Sequence, residues 1–295
     1  MSTHRLFHSA LLLTLLLTLL LAPLSGRAQS DERLPVPVAR ALKAAGVPAT
    51  AVAVVVQDVD ARMPRTSFNA AQPMNPASVM KLVTTYAALE LLGPAYTWKT
   101  EAYASAPPKD GVLEGDLVLK GYGDPKLGFE QFWLLLRQLR AKGLRDIRGD
   151  LVLDRSLFEA GNHDPARFDG EPLRPYNVGP DALLLNYKAI RLGFVPDPER
   201  KAVAVYAEPA PVQLDVVNLV KLNDAACGSA WYEAIRMDLV PAGAAARLVL
   251  TGGYPASCGE KSRHVAVLDH PQFVAGVFRQ LWAELGGTFT GGVRD

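Results

Sequence analysis

The sequence predicts an α+β protein, and three observations carry that reading. Apolar residues recur at helical spacing over 79–92, 129–142 and 270–287. Between about 100 and 265 the texture changes to short apolar and β-branched runs separated by turn residues. Apolar residues make up 49% of the chain and charged ones 21%, which suits a globular protein with a sizeable core. The 295 residues are enough for two domains, or for one domain carrying a large insertion. Net charge is +1, with no basic block or interleaved basic–aromatic run, so nothing supports nucleic-acid binding.

Residues 1–28 read as a secretory signal peptide. His4 and Arg5 precede an apolar run from Ala10 to Ala22, and small residues at Gly26 and Ala28 fit cleavage after Ala28. The run is shorter than the roughly 18–20 residues that span a bilayer, which argues against a membrane anchor. The expected location is therefore exported, or periplasmic. In an exported protein the isolated pair Cys227 and Cys258 most simply forms a disulfide. It closes a loop of about 30 residues and stabilises by roughly 3–4 kcal/mol in the chain-entropy view.

The mature chain opens with a short helix, Pro35 to Ala45, stopped by Gly46 and Pro48. "ATAVAVVVQDVD" at 49–60 reads as a strand buried on both faces in its apolar part. A turn at Met63–Pro64 returns the chain through "RTSFNA" to make a hairpin. In "NPASVMKLVTTYAALELLG", Asn75 is the expected N-cap and Pro76 the first helical residue. Val79, Leu82, Val83, Tyr86, Leu89 and Leu92 form the apolar stripe, and Gly93–Pro94 ends the helix. Farther on, "GDLVL" occurs identically at 115–119 and 149–153, on either side of a helix from Phe129 to Lys142. Two copies are too few for a solenoid, so two related strands flanking a helix is the expectation. Strand-like runs follow at "AIRLGFVPD", "KAVAVYAEP", "VQLDVVNLV" and "RLVLTGG". The last helix presents Phe273, Val274, Val277, Phe278, Leu281, Trp282 and Leu285 on one face, and "TFTGGVRD" reads as a lead-in to a further element.

Chemistry concentrates at Ser78 and Lys81, one helical turn apart. A serine hydroxyl needs a neighbouring base to become a nucleophile, and a lysine serves when its amine is neutral. A helix N-terminus adds N–H groups where an oxyanion develops. The plain alternative is a capping serine beside a solvated lysine. Elsewhere, no His-Glu-x-x-His or Cys/His cluster points to a metal, and Gly-x-Ser-x-Gly is absent. "GYGDPKLG" lacks the third glycine of a dinucleotide loop and reads as a turn.

The Pro-Ala-Ser-x-x-Lys opening of an apolar helix after a hairpin resembles the penicillin-binding proteins and serine β-lactamases. "GDLVLKGYGDPKL", "IRGDLVLDRSLF", "RPYNVGPDALLLNY" and "LGGTFTGGVRD" narrow the resemblance to D-alanyl-D-alanine carboxypeptidase/endopeptidases of the penicillin-binding protein 4 type. The resemblance implies a transpeptidase-like catalytic domain, of which 29–99 and 266–295 would be the N-terminal part. A strand-rich inserted domain would occupy 100–265. It implies Ser78 as acylated nucleophile, Lys81 as base, peptidoglycan stem peptides as substrate, β-lactams as covalent inhibitors, and no cofactor. The family's Ser-x-Asn and Lys-Thr-Gly motifs do not follow the insertion here; "SFN" at 67–69 lies upstream of Ser78. A fragment of a D,D-peptidase is the resulting expectation, and a non-catalytic cell-wall binding protein the alternative. The loop "GNHDPARFDG" holds Asp164, read either as plain surface or as a contact to the substrate peptide.

Overall fold

The computed structural model describes residues 33–159, 161–243 and 245–295. The expected signal peptide lies outside them. The chain divides into two compact units, with the boundary between Ala95 and Tyr96.

The first unit is built from helix α1 (Val36–Ala44), a hairpin of strands β1 (Val54–Val56) and β2 (Thr66–Phe68), and helix α2 (Met80–Leu92). The strands pair antiparallel, Val54 opposite Phe68. The expected strand over 49–60 shrinks to three residues, because Ala49–Ala51 forms a 3₁₀ turn. Val55 and Val56 are exposed rather than buried, since a two-stranded ribbon offers no layers to cover both its faces. Helix α2 begins later than Pro76: Asn75 Oδ1 accepts the N–H of Ala77 at 2.9 Å, and a 3₁₀ turn over Ala77–Val79 leads into it. Gly93, at φ 78°, ends it in a conformation that glycine adopts without strain. Its apolar residues lie on every side, Leu91 as well as the expected stripe, and none of them is buried.

The second unit holds all the fully buried apolar side chains among the described residues. Its framework is strands β3 (Thr100–Ala104), β4 (Val112–Leu113) and β5 (Leu117–Gly121), helix α3 (Phe129–Ala141), then β6 (Asp146–Ile147) and β7 (Leu151–Asp154). The two "GDLVL" copies pair with each other, parallel and in register, Leu117 opposite Leu151 and Leu119 opposite Leu153. Alternating Leu residues face the core on both strands, as the period of two requires.

Next come β8 (Ile190–Asp197), β9 (Ala202–Glu208), β10 (Leu214–Asn218), β11 (Lys221–Asn223), β12 (Ile235–Ala242), β13 (Ala245–Pro255) and β14 (Lys261–Val265). Antiparallel β14–β8–β9 forms one sheet, and β13 is flanked by β10, β11 and β12 in another. Cys227 and Cys258 are disulfide-bonded, as expected, tying the loop after β11 to the turn after β13.

Helix α4 (His270–Glu284) starts with a capping box, Asp269 accepting from the N–H of Gln272 at 2.7 Å. Its predicted face is buried, with Phe273, Val274, Val277, Phe278, Leu281 and Trp282 in the core. "TFTGGVRD", expected as a lead-in, itself forms β15 (Thr288–Phe289) and β16 (Val293–Arg294). β15 pairs parallel with β6 and β16 with β7. Residues 266–295 extend the sheets of the second unit, and α4 fills its core.

The pairing discloses a third copy that identity search misses. Asp146 pairs with both Val112 and Thr288, and Leu151 with both Leu117 and Val293. "VLEGDLV", "DIRGDLV" and "TFTGGVR" are therefore equivalent: a short strand, Xaa-Gly, and a second strand, with α3 and α4 preceding copies two and three. A Cβ on Gly149 would sit 2.3 Å from Gly115 backbone, and one on Gly291 1.9 Å from the Gly149 oxygen, so each stacked position must be glycine. Ser105 Oγ accepts the N–H of Asp116, Asp116 Oδ1 that of Asp150, and Asp150 Oδ1 that of Gly292, at 2.7, 2.8 and 2.8 Å.

Candidate active site

In the first unit Lys81 Nζ lies 3.0 Å from Ser78 Oγ, within hydrogen-bond reach. One-turn spacing brings them together, as the sequence implies, with Ser78 in the 3₁₀ turn and Lys81 in the first turn of α2. Both residues are exposed. Ala77, immediately before the serine, has φ 44°, a left-handed conformation that costs a non-glycine residue roughly 1–2 kcal/mol. Such strain clusters at functional sites, and here the Asn75 side chain stabilises the bend. Nothing in the residue types around Ala77 announces that conformation.

The upstream "SFN" does other work. Asn69 Nδ2 donates to the carbonyls of Ala49 (3.1 Å) and Val52 (2.9 Å), and Gln72 Nε2 to that of Thr50 (3.0 Å). Asn69 thereby pins the segment before β1 to the end of the hairpin.

Asp164 belongs to the second unit. Its Oδ1 accepts the N–H of Ala166 at 2.9 Å, closing an Asx turn. Beside it lies an open cleft of about 440 Å³ whose wall includes Arg167, Phe168 and Tyr176. Phe168 and Tyr176 stand 74% and 70% exposed with ring centroids 5.8 Å apart, an unusual display of apolar surface. His163 lines the same cleft, and its Nε2 donates to the carbonyl of Asn177 at 2.7 Å. Asp169 accepts from Asn177 Nδ2 (2.7 Å) and Arg174 Nη1 (2.8 Å), and is a loop-building residue.

Sequence reasoning missed a group of titratable side chains in the second unit. Asp181 is nearly buried, accepts the N–H of Leu183 at 2.8 Å, and faces Arg155 Nε at 3.1 Å and His270 Nδ1 at 4.0 Å. Burial pushes the His270 imidazole down from its ordinary pKa, opposed by the charge of Asp181 and reinforced by Lys188 and Arg155. The signal was present: an aspartate and a lysine punctuate the apolar run "PDALLLNYKAI". Among the described residues no group of three or more His, Cys, Asp or Glu is arranged to hold a metal ion. No described helix is long and apolar enough to cross a membrane.

The D-Ala-D-Ala carboxypeptidase 3 (S13) family profile matches residues 37–295. A D-alanyl-D-alanine carboxypeptidase of Actinomadura sp. (strain R39) is 40% identical over 108 residues, covering 36% of this chain and 20% of that relative. D-alanyl-D-alanine carboxypeptidase DacB of Haemophilus influenzae is 31% identical over 113 residues, covering 38% and 23%. The crystal structure of penicillin binding protein 4 (dacB) from Haemophilus influenzae superposes with a TM-score of 0.64 at 22% identity, over 82% of this chain and 52% of that one. A second structure of that protein holds a novel β-lactam. The chain spans about half the length of the solved relative it matches. Since the family profile covers nearly all of the described residues, the chain belongs to the D-Ala-D-Ala carboxypeptidase 3 (S13) family, and it shares the fold of penicillin binding protein 4.

Proposed function

We propose that Ser78 and Lys81 are the acylation pair of an exported serine D-Ala-D-Ala carboxypeptidase/endopeptidase acting on peptidoglycan stem peptides. The 3.0 Å contact between Lys81 Nζ and Ser78 Oγ carries this reading, in a chain whose family bears that activity in its name. Ser78 Oγ attacks the carbonyl of the D-Ala-D-Ala bond while the neutral Lys81 amine takes the hydroxyl proton. The tetrahedral intermediate collapses to a Ser78 ester, and the departing amine receives a proton. Water then attacks the ester and restores the hydroxyl. Backbone N–H groups at the start of α2 are proposed to meet the oxyanion. β-Lactams carry a strained amide and acylate the same oxygen. Asp164 and its aromatic neighbours are proposed to contact the substrate peptide.

The test is acylation by a labelled penicillin, followed by mass mapping of the label. Label on the Ser78 peptide is expected, with none taken up by Ser78→Ala and an acylation rate lowered about 10²–10⁴-fold in Lys81→Met. A wild-type chain that takes up no label would point instead to a non-catalytic cell-wall binder.

A further inference from the structure

The turn that carries Ser78 runs against the helix it opens. Pro76 (φ −73°, ψ −13°), Val79 (φ −65°, ψ −24°) and Met80 (φ −55°, ψ −25°) are all right-handed, yet Ala77 among them stands at φ 44°. Alanine is the strongest helix former, so local preference favours a helix running straight from Pro76 into α2. Packing does not enforce the reversal, because residues 71–81 are all exposed. The bond made at Ala77 itself comes from a side chain: Asn75 Oδ1 accepts its N–H at 2.9 Å.

A straight helix would misuse the Ser78 hydroxyl. Helical side chains lean toward the N-terminus, over the preceding turn. Hydroxyls placed there are spent on backbone carbonyls, as α2 itself shows. Thr84 Oγ1 donates to Met80 O at 3.2 Å, and Thr85 Oγ1 to Lys81 O at 2.8 Å. With Ala77 right-handed, Ser78 would become an early residue of the same helix, its hydroxyl leaning over the Asn75–Pro76 turn. The left-handed Ala77 swings that turn aside. Ser78 Oγ instead meets Lys81 Nζ at 3.0 Å.

We propose that Asn75 is a positioning residue for acylation at Ser78. Its acceptor oxygen keeps Ala77 left-handed, and that bend keeps the Ser78 hydroxyl off the backbone, paired with Lys81 and open to an incoming carbonyl. Asn75 itself touches neither substrate nor reacting atoms. This role rests on Ser78 and Lys81 being the acylation pair. It is distinct from helix capping: a cap adds stability alone, whereas a positioning residue changes the rate of the chemical step. Glycine takes positive φ without the cost that alanine carries, so in Ala77→Gly the Asn75 bond becomes dispensable.

The test is a double-mutant cycle on the full chain, read as single-turnover acylation by a labelled penicillin over a concentration series. Asn75→Ala should slow acylation at saturating penicillin by about tenfold or more. The half-saturating concentration should stay within about twofold of wild type, since binding is not what Asn75 sets. In the Ala77→Gly background the same substitution should cost less than about threefold. Exchange of the Ala77 amide, followed by NMR, should speed by about tenfold in Asn75→Ala. An unchanged acylation rate in Asn75→Ala overturns the role, as does unchanged exchange at Ala77. So does an equal loss in both backgrounds, which marks a cap or a folding defect. A wild-type chain that takes no label sinks the acylation pair and this role together, whereas a labelled wild type with an indifferent Asn75→Ala sinks the role alone.

Discussion

At the scale of single residues, stacking and charge set the sharpest expectations. Gly149 sits where a methyl group would overlap the Gly115 backbone, and backbone cannot step aside. Gly149→Ala should cost about 2–3 kcal/mol, read as a fall in urea midpoint with unchanged slope. Asp154 tests the electrostatics. Lys120 Nζ at 2.8 Å, then the hydroxyl and N–H of Ser156, hold its carboxyl down at about 2. Its folded pKa lies below the ordinary value, so it adds stability above about pH 4 and loses that contribution as pH falls toward 2. Asp154→Asn should therefore flatten the decline between pH 4 and 2 and cost of order 1 kcal/mol at pH 7. Urea melts across that range would show it; an unaltered pH dependence counts against the bridge. The Ser78–Lys81 contact was legible because one helical turn fixes the distance. The positive φ of Ala77 was not, since alanine carries no signature of a left-handed bend.

At the scale of elements, two helices of similar apolar content behave oppositely. Helix α4 was readable from its stripe, and the structure buries that face except for the half-buried Leu285. Helix α2 looked amphipathic, but its apolar residues run all round it and stay exposed, Leu82 at 69%. A helix of that composition is made for a fully enclosed position. In this chain Phe278→Ala should cost about 3–5 kcal/mol, while Leu82→Ala stays within about 0.5 kcal/mol. Equal costs in chemical melts would contradict the burial pattern. The disulfide belongs to this scale as well. Cys227 and Cys258, 31 residues apart, fasten the β11 loop to the end of β13. A Cys227→Ser/Cys258→Ser double variant should lose roughly 3–4 kcal/mol, seen as a lower Tm that reductant no longer affects. Strands β12 and β14 escaped sequence reading because their exposed, charged positions dilute the alternation that marks a strand.

For the whole molecule, the uneven placement of core predicts uneven stability. Every fully buried apolar side chain described lies in 96–295, and none in 33–95. Brief proteolysis should cut within 33–95 long before 96–295, and amides of Met80–Leu92 should exchange orders of magnitude faster than those of His270–Glu284. The architecture was only half visible beforehand. Two identical pentapeptides announced two copies, whereas "TFTGGVRD" keeps only the spacing and one glycine of the pattern. Backbone pairing needs no side-chain identity, so the third copy was concealed in plain composition. One of its altered positions, Gly292, has an effect of its own. Along the row from Ser105 through Asp116 and Asp150, each side chain catches the N–H of the next strand, and the Arg294 guanidinium clasps both carboxylates. At Gly292 the row meets a residue with no side chain to extend. The relay of acceptors therefore has a direction across the four described strands, from Ser105 to Gly292, and Gly292 passes no carboxylate on.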